Sequence, residues 1–172
     1  MDKAVLDIID TTIKIGLGAT IAGLSTYILS IQKHKQDKEN DIRKETNSIL
    51  KDIALKIENA NNKLDEATHP FWNLVADNQP NMDNPVVIKE SINLLLESIK
   101  LIREARAYVA LLDLTFVKEK LTIAEELTQN IYQSIAKNLL REKEQEINSD
   151  LKIIQSTFSD SFNELAKSYN KT

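Results

Sequence analysis

All three glycines of this 172-residue chain, Gly16, Gly18 and Gly23, fall inside one uncharged run, residues 15–31. Glycine in a helix interior costs about 1 kcal/mol relative to alanine, whereas membrane-spanning helices carry it freely. Seventeen residues without a charge approach the roughly twenty needed to cross a bilayer. Ile13, Gln32 and the aliphatic stem of Lys14 extend the run to that length. The run reads as a single transmembrane helix. Thr20, Ser25, Thr26, Tyr27 and Ser30 dilute it, which keeps open a soluble bundle with this helix packed inside.

The flanks give the span a direction. Asp2, Asp7 and Asp10 against Lys3 and Lys14 do not make the short basic leader of a cleaved signal peptide, so an uncleaved anchor is expected. Lys33, Lys35, Lys38, Arg43 and Lys44 follow the run closely, and positive residues stay on the cytoplasmic side. The expectation is a single-pass protein of the cell (inner) membrane, N-terminus out, with residues 33–172 in the cytoplasm and 1–32 as amphipathic turn and anchor. Lys33, Lys35 and Lys38 are then placed to meet anionic lipid.

Within the run Gly16, Ala19, Thr20, Gly23, Thr26 and Ser30 share one helical stripe, with Leu17, Ile21, Leu24, Ile28 and Ile31 on the other side. Small residues at this spacing let two membrane helices approach closely, so the stripe is the expected association face of a homo-oligomer. Upstream, Asp10 and Lys14 are spaced for an ion pair on the polar side of an amphipathic turn. Charge there also suits the mouth of a pore.

Elsewhere the chain has three prolines and no glycine, too few turn formers for a sheet protein. The fold class expected is all-α, the anchor continuing into an up-down, coiled-coil-like bundle of three to four long helices. Ile49, Ile53, Ile57, Ala60, Leu64 and Ala67 form a first seam, which should end near Thr68 because Pro70 disfavours a helical residue before it. Asn84-Pro85 is a helix start, with an N-cap residue and proline at the first position. The helix it opens carries apolar residues from Ile88 to Phe116 and should reach about Lys120, where Thr122 and Glu125 have capping-box spacing. The stretch 107–117, with one charge, reads as buried core. A last helix follows, with Asn148-Ser149-Asp150 as an optional break.

Between the first two bundle helices, residues 69–84 hold two prolines and the only tryptophan. Loops on rigid helices are where binding concentrates, so His69, Phe71 and Trp72 are the candidate partner contact. The competing reading folds the aromatics back as a cap on the bundle.

Chemistry is sparse. Without cysteine there are no disulfides or thiolate sites, and two isolated histidines give no ligand spacing, so no catalytic, metal or cofactor residues are assigned. His34, the pair Glu125-Glu126 and the run Glu142, Glu144 and Glu146 read as solvated. A net charge of −4 gives no reason to expect nucleic acid. The function expected is a non-enzymatic, membrane-anchored bundle that contacts lipid, a protein partner or copies of itself. The rivals are a membrane-permeabilising effector of toxin or phage-defence type and a soluble bundle.

Overall fold

A computed structural model describes residues 3–72, 84–140 and 142–171, with the side chains of 3–22, Trp72 and Lys171 outside that description. The described residues form four helices and no strand: α1 (Lys3–Trp72), α2 (Pro85–Leu111), α3 (Thr115–Ala136) and α4 (Glu144–Lys171). By its contacts the chain divides into two units, Met1–Glu45 and Thr46–Thr172.

The second unit is a helical bundle with one core. A seam of buried positions alternates three and four residues apart in every helix. In α1 they are Leu50, Ile53, Ile57, Ala60, Leu64, Ala67 and Phe71, and in α3 Val117, Leu121, Ala124, Thr128, Ile131 and Ile135. In α4 the row runs Ile147, Leu151, Ile154, Phe158, Ser161 and Leu165. That 3.5-residue period keeps one seam of each helix facing its neighbours, as in coiled coils. Adjacent helices run antiparallel, because contacts pair rising with falling numbers: Lys56 with Glu104, Ala60 with Ser98, Lys63 with Glu97. Lys120 on α3 reaches Asp160 on α4, and Lys51 on α1 stacks on Tyr169 of α4.

In α2 the seam is Ser91, Leu95, Ser98, Ile102, Ala105 and Val109, so two of its six positions are hydroxyls. Ile88 and Ile92, expected in the seam, lie at its edge, and Phe116 is 47% exposed. The other seam hydroxyls bond within their own helices, Thr128 Oγ1 to the Ala124 carbonyl at 2.7 Å and Ser161 Oγ to the Thr157 carbonyl at 2.8 Å. A buried hydroxyl so satisfied carries little desolvation cost, which is why these positions accept it.

Several expected boundaries move. α1 continues through Pro70 to Trp72 instead of ending near Thr68. The ring takes away one backbone donor in the last turn. Burial of Phe71 holds the turn closed, and Thr68 Oγ1 donates to the Leu64 carbonyl at 2.9 Å. α2 starts as expected: Asn84 accepts from the Val86 amide at 3.0 Å, ahead of Pro85.

α2 ends at Leu111, well short of Lys120. Asp113 has φ 53°, its amide bonds the Ala110 carbonyl, and the Leu114 amide bonds the Val109 carbonyl. This is a Schellman end with aspartate in the left-handed position usually filled by glycine. The end of α3 repeats it: Asn138 has φ 55°, its amide bonds Ile135, and the Leu139 amide bonds Ser134. Thr122 therefore lies inside α3, its hydroxyl on the Lys118 carbonyl, and caps nothing. Residues 148–150 lie inside α4, so the break falls at 137–143 instead. The stretch 107–117 holds the end of α2, the turn at 112–114 and the start of α3; Val109 and Val117 are buried, Leu112 and Leu114 pack against the core, and Leu111 is 75% exposed. The stretch is therefore core only in part, and the rest of its uncharged length is a surface turn.

Candidate interaction and membrane-contact surfaces

In the first unit every described side chain from Gly23 to Glu45 is exposed. Leu24, Tyr27, Ile28, Leu29 and Ile31 each expose more than half of their surface. At about 100° per residue, Leu24, Ile28 and Ile31 share one side while Leu29 lies away from them, so apolar surface extends beyond a single stripe. Gly23, Thr26 and Ser30 fall on the remaining face, and a Cβ added to Gly23 meets nothing within 4 Å. No packing among the described residues demands that glycine. The other three residues of the small stripe, Gly16, Ala19 and Thr20, lie outside the described side chains, as do Asp10 and Lys14.

Lys33, Lys35 and Lys38 follow directly, all exposed, with Lys35 and Lys38 on one face and Lys33 on the other. Among the described residues no helix is long and apolar enough to cross a membrane. Of the uncharged run, 15–22 lie outside the described side chains and 23–31 within them.

The aromatic cluster at the end of α1 separates. Phe71 is 3% exposed and belongs to the core, which removes it from any contact surface. Trp72 lies outside the described side chains, and His69 is exposed. His69 lines a groove of about 830 Å3 between the end of α1 and the start of α2, with Asp65, Glu66 and Glu90. Burial pushes the Asp65 carboxyl above its ordinary value, against a hydrogen bond from Gln155 that lowers it.

Glu125 departs furthest from expectation. Its side chain is 8% exposed, wedged between α2 and α3, with Arg103 Nε at 2.6 Å from Oε1 and Arg106 Nη1 at 2.8 Å from Oε2. Gln129 Nε2 donates to Oε1 at 3.1 Å. The Arg106 contact is an ion pair off hydrogen-bond alignment, so Oε2 has charge compensation without a directed donor. A second cross-helix pair, Lys56 with Glu104, lies nearer the surface. The Lys56 hydrogen bond holds the Glu104 carboxyl below its ordinary value, and Glu104 raises Lys56 in return. Arg103 and Arg106 sit three apart on α2, the spacing that presents both to one point on a neighbour. That spacing was the available signal, hidden by the partner's capping-box position.

Among the described residues no group of His, Asp and Glu side chains could hold a metal ion. No protein-family model matches the chain, and no curated protein or solved structure matches it either.

Proposed function

We propose that the chain is a non-enzymatic, membrane-anchored interaction protein: residues 15–31 insert as a single span, N-terminus out, and the helical bundle works at the cytoplasmic face. The observation that carries this reading is the exposed apolar surface of 23–31, five large side chains over nine residues. Large apolar side chains gathered on an exposed helix are stabilised by burial against protein or in lipid. These side chains are in no core, and in sequence they continue the uncharged residues 15–22. Lys33, Lys35 and Lys38 supply the positive flank next to anionic headgroups, at about 1 kcal/mol per residue near the surface. The small-residue stripe ending at Ser30 serves self-association of the span.

An alkaline carbonate wash of membranes tests the anchor. The full-length chain should stay in the pellet, and release into the supernatant would favour the soluble-bundle reading instead.

A further inference from the structure

A groove between α1 and α4 is used by nothing described above. It measures about 570 Å3 and is lined by Leu50, Ala54, Phe162 and Leu165, with Tyr169 and Lys51 also on its wall. That volume falls among small-molecule sites, roughly 300–1,000 Å3, and the mostly apolar lining with few polar groups is their usual composition. A second, more polar depression of about 320 Å3 adjoins this trough at Phe162 and Asn163 and reaches Gln155, lined also by Phe158, Asn61 and Ser159. From Gln155 to Asn170 is about 22 Å of helix at 1.5 Å per residue. One acyl chain of a bilayer leaflet spans about 15 Å, half the hydrocarbon core, so the trough is long enough for one.

Charge says which end is which. Lys51 Nζ lies 5.9 Å from the centroid of the Tyr169 ring, and among the described residues it has no carboxylate partner. A cation without an anion at the wall of an apolar trough complements an amphiphile with one negative head. We propose that this groove binds a long-chain fatty acid as its carboxylate, the head at Lys51 and the chain along Ala54, Phe162 and Leu165 toward Gln155. The inference is independent of the membrane anchor, because every residue it uses lies in the bundle.

The test is photolabelling of the full-length protein in phosphatidylcholine vesicles. The probe is palmitic acid with a diazirine in its chain, and the uncharged control is the matching alcohol. Labelled residues are mapped by mass spectrometry. The acid should mark 155–170 of α4 and 50–54 of α1, and the alcohol should not. Lys51→Glu should cut this labelling roughly tenfold, the loss of one charge-assisted contact. Ala54→Trp should abolish it by filling the groove. Should Ala54→Trp fail to fold, Lys51→Glu at its exposed position still decides.

Equal labelling by acid and alcohol, undiminished labelling of Lys51→Glu, or label confined to 15–31 would each overturn the proposal. So would cross-linking of two chains through this groove, which would make a second copy the occupant.

Discussion

Ser98 of α2 donates a 2.8 Å hydrogen bond from Oγ to the backbone carbonyl of Ala60 in α1, and neither residue has any exposed surface. Two small residues face each other here, so the helix backbones come close, and the hydroxyl finds its acceptor on the neighbour instead of its own helix. Ser98→Ala should cost about 1 kcal/mol, the net worth of one hydrogen bond. Ser98→Leu should cost more, about 1–3 kcal/mol, by forcing α1 and α2 apart. Denaturant unfolding measures both, and a leucine variant as stable as the alanine one would show the approach to be loose.

The Arg103–Glu125–Arg106 cluster predicts an asymmetry. Removing both arginines leaves a carboxylate buried without compensation, which costs about 3–5 kcal/mol. Glu125→Leu frees two arginines whose side chains are 57% and 34% exposed, so their heads turn to solvent and the loss should stay below about 1.5 kcal/mol. Unfolding free energies of Glu125→Leu and of Arg103→Ala with Arg106→Ala decide the point. Equal losses would mean that Glu125 is hydrated in the folded protein.

Both helix-ending turns use a non-glycine residue at positive φ, Asp113 and Asn138. Asp113→Gly and Asn138→Gly should each raise stability by up to about 1 kcal/mol, while Asp113→Val should lower it by about 1–2 kcal/mol. Thermal melts of the three variants check the signs, which reverse if either turn adopts another conformation.

These two turns also explain how much of the fold could be read from the sequence. The 3-4 spacing of Ile53, Ile57, Ala60 and Leu64, and the Asn84-Pro85 start, were legible because burial period and capping are local chemistry. The stops after Leu111 and Ala136 were not, since Asp and Asn enter the left-handed region less often than glycine and resemble any surface polar residue. With no stop visible, the whole of 107–117 passed for core. Glu125 was missed for a different reason: its partners lie on another helix, and Thr122 three residues earlier offered a local explanation that was complete and wrong. Ser91 and Ser98 were missed because a search for apolar seams skips hydroxyls.

Burial raises the Asp150 carboxyl, with Glu146 adding repulsion and Lys143 opposing. A carboxyl whose folded value is raised stabilises the protein below its unfolded value, about 3.9, and that contribution is lost as pH rises through the folded value. Asp150→Asn should therefore have little effect near pH 3 and stabilise by pH 7. Glu104 runs the other way, since Lys56 lowers it. Its contribution is present above the unfolded value, about 4.3, and fades as pH falls through the folded one. Glu104→Gln should destabilise at pH 7 and lose that effect in acid. Melting temperatures of both variants across pH 3 to 7 give the two slopes, and slopes of one sign would contradict the assignment.

The central claim is that 15–31 lies in lipid with the bundle on the cytoplasmic side, and the chain's freedom from cysteine makes it directly testable. Single cysteines at Asp2, Leu24 and Lys38 are probed in intact cells with a membrane-impermeant maleimide. The account predicts that Asp2→Cys reacts from outside, that Lys38→Cys reacts only after lysis, and that Leu24→Cys stays protected until detergent is added. Leu24→Cys reacting as fast as Lys38→Cys after lysis without detergent would place this helix in water and contradict the account.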